Sequence, residues 1–208
     1  MALDPRDVQR FDACRAFEDL LSQATSQVGP AYFTLLTMDH VEPISRERVY
    51  CYELYHQLRG VWPSEGALEA YSINGEVDKI GHAAFAGPLH GAKPDFVVHV
   101  PGSMEHNLVT VEVKRRSATP ESLMDDLEKL HLMTTFGRYY RGILIVFGEP
   151  RGDTITPSLS GLSDAAAESR AAGTIQVWVH TRPQEPAAFW RGTAADDCRV
   201  APDGARIR

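Results

Sequence analysis

One stretch of the sequence, residues 93–116, constrains the fold more than any other. Apolar residues recur at every second position on both sides of a central turn: Phe96, Val98, Val100, Val109, Val111 and Val113. A period of two places such residues on one face of a β-strand. The Pro101-Gly102 dipeptide between the two runs is a turn signal. The pattern therefore predicts two antiparallel strands that form a hairpin.

The other face of this predicted hairpin carries charged residues. If the hairpin closes symmetrically around Met104, residues whose numbers sum to about 208 face each other. Asp95 then lies opposite Glu112 and Val113, and Lys114 projects to the same side as Glu112. Two carboxylates and one ammonium group are thus predicted to meet at the open end of the hairpin.

Two neighbouring carboxylates repel each other unless a positive charge lies between them. Mg²⁺ commonly fills such a position, because it binds one or two carboxylates together with water and phosphate oxygens. Lys114 could hold a nucleophilic water molecule or a phosphate beside the ion. The arrangement suits metal-assisted hydrolysis of a phosphodiester.

The spacing of these residues resembles a known motif. Pro94-Asp95, followed after sixteen residues by Glu112-Val113-Lys114, is similar to the signature of the PD-(D/E)XK nuclease superfamily, which includes many restriction-type endonucleases. The resemblance implies that Asp95 and Glu112 hold one or two Mg²⁺ or Mn²⁺ ions, with the Val113 carbonyl as a further ligand. It also implies that Lys114 orients or deprotonates the attacking water and steadies charge on the phosphate.

In this superfamily, a helix before the catalytic sheet often adds an acidic residue to the metal site. Residues 45–62 are predicted to form such a helix, and its segment Tyr52-Glu53-Leu54-Tyr55 resembles that element. Glu53 is therefore the first candidate for an additional metal ligand. The alternative is a surface glutamate that pairs with Arg46 or Arg59.

A second candidate lies on the strand predicted within residues 70–80. Glu76 could complete the metal shell, but an ion pair with Lys79 or a role on an edge strand is equally open. His99 shares the charged face of the hairpin farther from its open end, and we expect it to be a hydrogen-bonded polar residue there.

A helix is predicted to follow the hairpin, with Thr119 as its N-cap and Pro120 at its first position. Its core-facing residues are predicted to be Leu123, Leu127, Leu130 and Thr134. Lys129 and His131 are predicted to be exposed. The next segment, 141–148, is continuously apolar, which is typical of a central strand covered on both faces.

The order of elements predicts an α/β fold with a mixed central β-sheet flanked by helices and a restriction-endonuclease-like core. We expect one domain over 1–208, with the nuclease-like core at about 45–147 and a helix at 5–27 before it. The core stripe of that helix is predicted to contain Val8, Phe11, Phe17, Leu20 and Leu21. The extension 148–208 contains a predicted helix at 163–172, a strand at 174–180 and an irregular tail. The run 31–38 is too short to assign to a strand or a helix.

Composition limits the setting in which the protein works. At 208 residues and 43% hydrophobic, the chain is long enough for one full core. Its start lacks the basic-then-apolar profile of a signal peptide, and no run approaches the ~20 apolar residues of a membrane helix. Its three scattered cysteines lack the CxxC spacing of a zinc site. We therefore expect a soluble, cytoplasmic protein with no membrane contact.

The formal net charge of −7 counts against a large surface for nucleic acid, because neutralisation of phosphates dominates such binding. Basic residues nevertheless cluster at Arg46 and Arg48, at 114–116, and at Arg138 and Arg141. Either weak intrinsic binding or dependence on a partner subunit or homodimer follows.

Together these observations predict a DNA endonuclease of a microbial defence or DNA-processing system, with DNA favoured over RNA. One alternative is a catalytically silent subunit of the same fold that binds nucleic acid or protein. Another is a purely structural hairpin, in which Asp95, Glu112 and Lys114 form a ladder of ion pairs on the surface.

Overall fold

The structure, a computed structural model, describes residues 5–36, 44–75, 89, 93–103, 105–149 and 175–192. The helices are α1 (Pro5–Thr25), α2 (Pro30–Phe33), α3 (Glu47–Gly60) and α4 (Pro120–Thr135). The strands are β1 (Ser72–Gly75), β2 (Phe96–His99), β3 (Asn107–Arg115), β4 (Arg141–Phe147), β5 (Ile175–His180) and β6 (Ala188–Gly192). No helix of this described part is long and apolar enough to cross a membrane.

All six strands form one sheet in the order β1-β2-β3-β4-β5-β6. Strand β2 runs antiparallel to both β1 and β3, strands β3, β4 and β5 are parallel, and β6 returns antiparallel to β5. Parallel neighbours need a crossover connection, and α4 provides it between β3 and β4. The predicted α/β class, with a mixed sheet flanked by helices, is confirmed.

The predicted hairpin is formed by β2 and β3. Phe96 pairs with Val111 and Val98 with Val109, close to the symmetric pairing expected from the sequence. The register shifts between Val98 and His99, and His99 pairs with Asn107 beyond the shift. The alternating valines therefore do define both the pairing of the strands and the faces of the hairpin.

The two faces of the sheet are covered by different helices. Helices α1 and α3 pack on the face that carries Val111 and Val113, where a large core includes several aromatic rings. Helix α4 packs on the opposite face, where Leu127 and Leu130 contact Leu144 of β4. Because residues alternate along β3, Glu112 and Lys114 project toward the α4 side.

The predicted packing of α1 is partly wrong. Val8 and Phe11, assigned to its core stripe, are 41% and 49% exposed, whereas Phe17 and Leu21 are fully buried as expected. An amphipathic pattern indicates which side of a helix is buried, but not how much of its length is covered by neighbouring elements.

Two further segments extend or resolve the predictions from sequence. Within the run 31–38, which the sequence left open, residues 31–33 belong to the short helix α2 and Leu35 forms an isolated antiparallel bridge with Ile44. Residues 37 and 38 lie outside the described part. The tail, predicted to be irregular, contains the edge strand β6, so that prediction is wrong there. The predicted helix at 163–172 lies outside the described residues.

Candidate functional site

Asp95 lies immediately before β2 and is held by the neighbouring strand. The pairing of Phe96 with Val111 continues toward Asp95, which places that residue opposite Glu112. Its Oδ2 accepts a hydrogen bond of 2.7 Å from the backbone N–H of Val113. The backbone of β3 therefore orients this carboxylate beside Glu112, as the hairpin pattern predicted.

Glu112 is one of the few buried charged residues in the described part, with only 3% of its surface exposed. Its Oε2 accepts a hydrogen bond of 2.9 Å from Lys129 Nζ. Its Oε1 is buried and has no hydrogen-bond partner among the described residues. A buried carboxylate oxygen without a donor is costly, so this atom is suited to carry a proton or to ligate a cation.

Lys114 lies on the same face as Glu112 but pairs with other carboxylates. Its Nζ is 3.0 Å from Asp126 Oδ2 and 3.7 Å from Glu47 Oε2. The predicted surface ladder of Asp95, Glu112 and Lys114 is therefore wrong, because Glu112 is buried and the partner of Lys114 comes from α4. The charges form a partly enclosed cluster between β3 and α4.

Helix α4 supplies two members of this cluster that the sequence analysis did not identify. Asp126 is 4% exposed, and its Oδ1 is 3.4 Å from Lys129 Nζ. Lys129 and His131 were predicted to be exposed, which is wrong: both are half-buried. We refer below to Asp95, Glu112, Lys114, Asp126 and Lys129 as the charged cluster.

A signal for Asp126 was present in the sequence. The core-facing positions of α4 include Leu123, Leu127 and Leu130, and position 126 falls within the same stripe at helical spacing. A carboxylate inside an apolar stripe is unusual unless it has a partner on the surface that the helix covers. That partner is Lys114 on β3.

Burial sets the ionisation of the two hairpin carboxyl groups. Burial raises the pKa of Asp95 to about 6, although the Val113 N–H and Lys129 oppose the shift. Burial, together with the charge of Asp95, raises the pKa of Glu112 to about 8 despite the contact with Lys129. The ammonium groups of Lys114 and Lys129 therefore do not offset the effect of burial on the pKa values of this carboxyl pair. A further cation beside the pair would lower both pKa values.

The two lysines keep their protons. Burial alone would lower the pKa of Lys114, but Asp126 and Glu47 outweigh it and the pKa is raised. The same balance holds for Lys129, where Glu112 and Asp126 overcome the effect of burial. Both side chains are therefore cations at neutral pH.

The first candidate for an extra metal ligand is not brought to this cluster. Glu53 is half-buried on α3 and accepts a hydrogen bond of 2.7 Å from Gln57 Nε2. Helix α3 packs on the face of the sheet opposite Glu112, so Glu53 does not join the charged cluster. Helical spacing within α3 could not predict this, because it does not show which face of the sheet the helix covers. The carboxylate of α3 that reaches the cluster is Glu47, at the first residue of the helix.

Two other predicted residues have simpler outcomes. His99 Nε2 lies 3.0 Å from Asn74 Oδ1 on β1, which confirms the expected hydrogen-bonded polar role. Glu76 lies outside the described residues.

The donor set fits a divalent cation held by two carboxylates. Within the ranges that the structure describes, no three His, Cys, Asp or Glu side chains form a group that could hold a metal ion. Mg²⁺ does not need a full protein cage, because water and substrate phosphates complete its shell. Asp95 and the unpartnered Oε1 of Glu112 match that requirement.

A scan against protein-family models and a search of curated proteins found no match to this chain.

Proposed function

We propose that this protein is a Mg²⁺- or Mn²⁺-dependent nuclease of the PD-(D/E)XK type, and that DNA is its favoured substrate. The observation that carries the proposal is the paired placement of Asp95 and Glu112 beside Lys114. Both carboxyl groups are largely buried, both have raised pKa values, and one oxygen of Glu112 has no partner in the described part. In this proposal the protein is an endonuclease of a microbial defence or DNA-processing system, and these residues form its active site.

In this proposal Asp95 and Glu112 hold the ion, with the Val113 carbonyl as a further ligand. The bound ion would supply Lewis acidity and a nucleophilic water at neutral pH. Lys114 carries its charge close to the same face of the sheet. Its raised pKa favours a role in stabilising negative charge on the phosphate over a role as a general base.

The topology also supports this proposal. Helix α3 precedes three antiparallel strands, and α4 connects them to the parallel strand β4. This is the arrangement expected of a restriction-endonuclease-like core. Strands β5 and β6 enlarge the sheet on the far side of β4.

A local basic region beside the site favours a nucleic-acid substrate. Glu47 contacts both Lys114 and Arg115, so the start of α3 lies beside the end of β3. Two basic clusters that are separate in sequence, 46–48 and 114–116, are therefore close in space. Phosphates could be contacted there although the whole chain carries a net charge of −7. A partner subunit or a second copy would extend this small surface.

The decisive experiment measures cleavage of single- and double-stranded DNA and RNA with Mg²⁺ or Mn²⁺. We expect Lys114→Ala to lower the rate by about 100-fold or more, because it removes a positioned cation at the phosphate. Arg182→Ala is the matched control, since Arg182 has the same charge but lies outside the basic region, in an exposed ion pair with Glu185. Equal cleavage by wild type and Lys114→Ala would disprove the proposal.

The alternative proposal is a catalytically silent subunit that binds nucleic acid or protein. The net acidity of the chain favours it, because a small basic region gives a free-standing nuclease little grip on DNA. Calorimetry separates the two proposals. A measurable heat of Mg²⁺ or Mn²⁺ binding favours the nuclease, whereas tight partner binding without metal heat favours the subunit.

A further inference from the structure

Two lysines approach the charged cluster, and they occupy different positions in it. Lys114, which matches the superfamily motif, pairs with Asp126 and Glu47. Lys129, which lies outside that motif, makes the 2.9 Å contact with Glu112. The cation that touches the proposed metal ligand is therefore the one contributed by α4.

Lys129 can leave Glu112 without losing every partner. Asp126 lies on the same helix three residues earlier, and its Oδ1 is already 3.4 Å from the ammonium. The Lys129 side chain is 31% exposed, so its tip can also be hydrated once it moves. Glu112, by contrast, is almost completely buried and cannot follow it.

We propose that Lys129 is a displaceable internal counter-ion, whose ammonium group contacts Glu112 Oε2 until a divalent cation binds Asp95 and Glu112. This inference rests on the proposed function only in assuming that those two carboxylates bind metal. It assigns Lys129 a positioning role beside the two carboxylates before metal binds, and it makes the movement of Lys129 toward Asp126 part of metal binding.

Competition between the ammonium and the metal ion has a measurable consequence. The bound ion must replace the favourable contact between Lys129 and Glu112, so the apparent metal affinity of the wild type is reduced. Without the ammonium, no cation of the described residues contacts Glu112, and a divalent ion gains more free energy by binding. Removal of the Lys129 charge should therefore tighten metal binding.

The test is calorimetric titration of Mn²⁺ into wild type and Lys129→Met. Both proteins are titrated at the same pH, about 8, because protons compete with the metal ion for its ligands. We expect the variant to bind Mn²⁺ roughly tenfold more tightly, a change of about 1.4 kcal/mol. Arg182→Met is the matched control, since it removes one positive charge from an exposed ion pair with Glu185. That control should bind Mn²⁺ like the wild type.

A second variant covers the case in which Lys129→Met does not fold. Lys129→Gln keeps a hydrogen-bond donor for Glu112 but removes the charge, and we expect a gain in Mn²⁺ affinity between those of wild type and Lys129→Met. Thermal unfolding with and without Mn²⁺ provides a reading independent of cleavage, because tighter binding gives a larger rise in Tm.

The outcomes separate this inference from the nuclease proposal. Unchanged or weaker Mn²⁺ binding in both Lys129 variants would overturn the counter-ion role, even if the wild type cleaves DNA. Absence of Mn²⁺ binding in all variants would also overturn it. Tighter binding in the variants supports it, even if none of the proteins cleaves a nucleic acid.

Discussion

The two faces of the sheet bury polar groups in opposite ways. On the α1–α3 face, the Tyr50 hydroxyl and His180 Nδ1 are 2.7 Å apart and enclosed by the rings of Phe33 and Phe147. On the α4 face, the charged cluster packs carboxylates and ammonium groups together, with Glu112 at its buried end. One face holds a neutral hydrogen-bonded pair, and the other holds ionisable groups.

The difference shows how a buried polar group is compatible with a stable core. Burial lowers the pKa of His180 to about 4, so the imidazole stays neutral at physiological pH. Its Nδ1 contacts the Tyr50 hydroxyl, and its buried Nε2 has no hydrogen-bond partner among the described residues, which a neutral ring tolerates better than an ion would. Burial raises the pKa of Glu112, and one of its oxygens has no partner among the described residues. We infer that the first face is built for stability and the second for binding.

The largest effect on stability is expected on the aromatic face. Phe147 is fully buried, and its ring stacks on Tyr50 with centroids 3.9 Å apart. Phe147→Ala should lower the free energy of unfolding by about 3–5 kcal/mol, because it leaves a cavity in the core. Denaturant unfolding would measure this. Metal binding by the folded fraction should be unchanged, and a selective loss of metal affinity would contradict the separation of the two faces.

The pH dependence of His180 comes next. Its pKa is about 4 in the folded protein and about 6.5 when unfolded, so the unfolded state binds more protons between those values. Stability contributed by the neutral imidazole is present above pH 6.5 and lost as the pH falls toward 4, by roughly 2–3 kcal/mol. Denaturant unfolding over this range should show a flatter pH profile for His180→Gln. Identical profiles would contradict the assignment.

Glu112 should show the opposite slope. Its pKa rises from the usual 4.5 to about 8 on folding, so the folded state binds more protons in that window and stability falls as the pH increases. Glu112→Gln should therefore raise the free energy of unfolding by about 2 kcal/mol near pH 9, and by less toward pH 5. Unfolding at both pH values would measure this.

The matched control for Glu112→Gln is Glu53→Gln, since Glu53 lies on the other face and has Gln57 as its partner. It should leave the pH profile unchanged. If Glu112→Gln instead lowers the free energy of unfolding at every pH, the contacts that Glu112 already makes stabilise the fold, and the charged cluster needs no further cation.

The smallest effect is expected at the surface. Arg182 and Glu185 form an ion pair of 3.5 Å with both side chains more than half exposed. Replacement of Glu185 by Gln should change the free energy of unfolding by less than about 0.5 kcal/mol, because water screens such pairs. Denaturant unfolding at low and high salt would check this. A larger change would mean that burial does not distinguish the ion pairs of the charged cluster from weak ion pairs on the surface.

Periodicity in the sequence was sufficient for the hairpin and for the side on which Asp95, Glu112 and Lys114 lie. These depend on local alternation, which a strand converts directly into faces. Periodicity was not sufficient to predict the surroundings of Lys129 or Glu53. Their surroundings depend on which face of the sheet each helix covers, and no pattern within a helix contains that information.

Val113 links the two faces in a way that constrains future change. Its side chain lies in the α1–α3 core with 2% exposure, while its N–H fixes Asp95. The volume of an apolar side chain at this position therefore helps to set where the Asp95 carboxylate lies, just before the neighbouring strand β2. A larger residue at position 113 would shift β3 to relieve crowding and would carry that displacement to Asp95. Fewer side chains should consequently be tolerated at this position of the core than the available volume alone would allow.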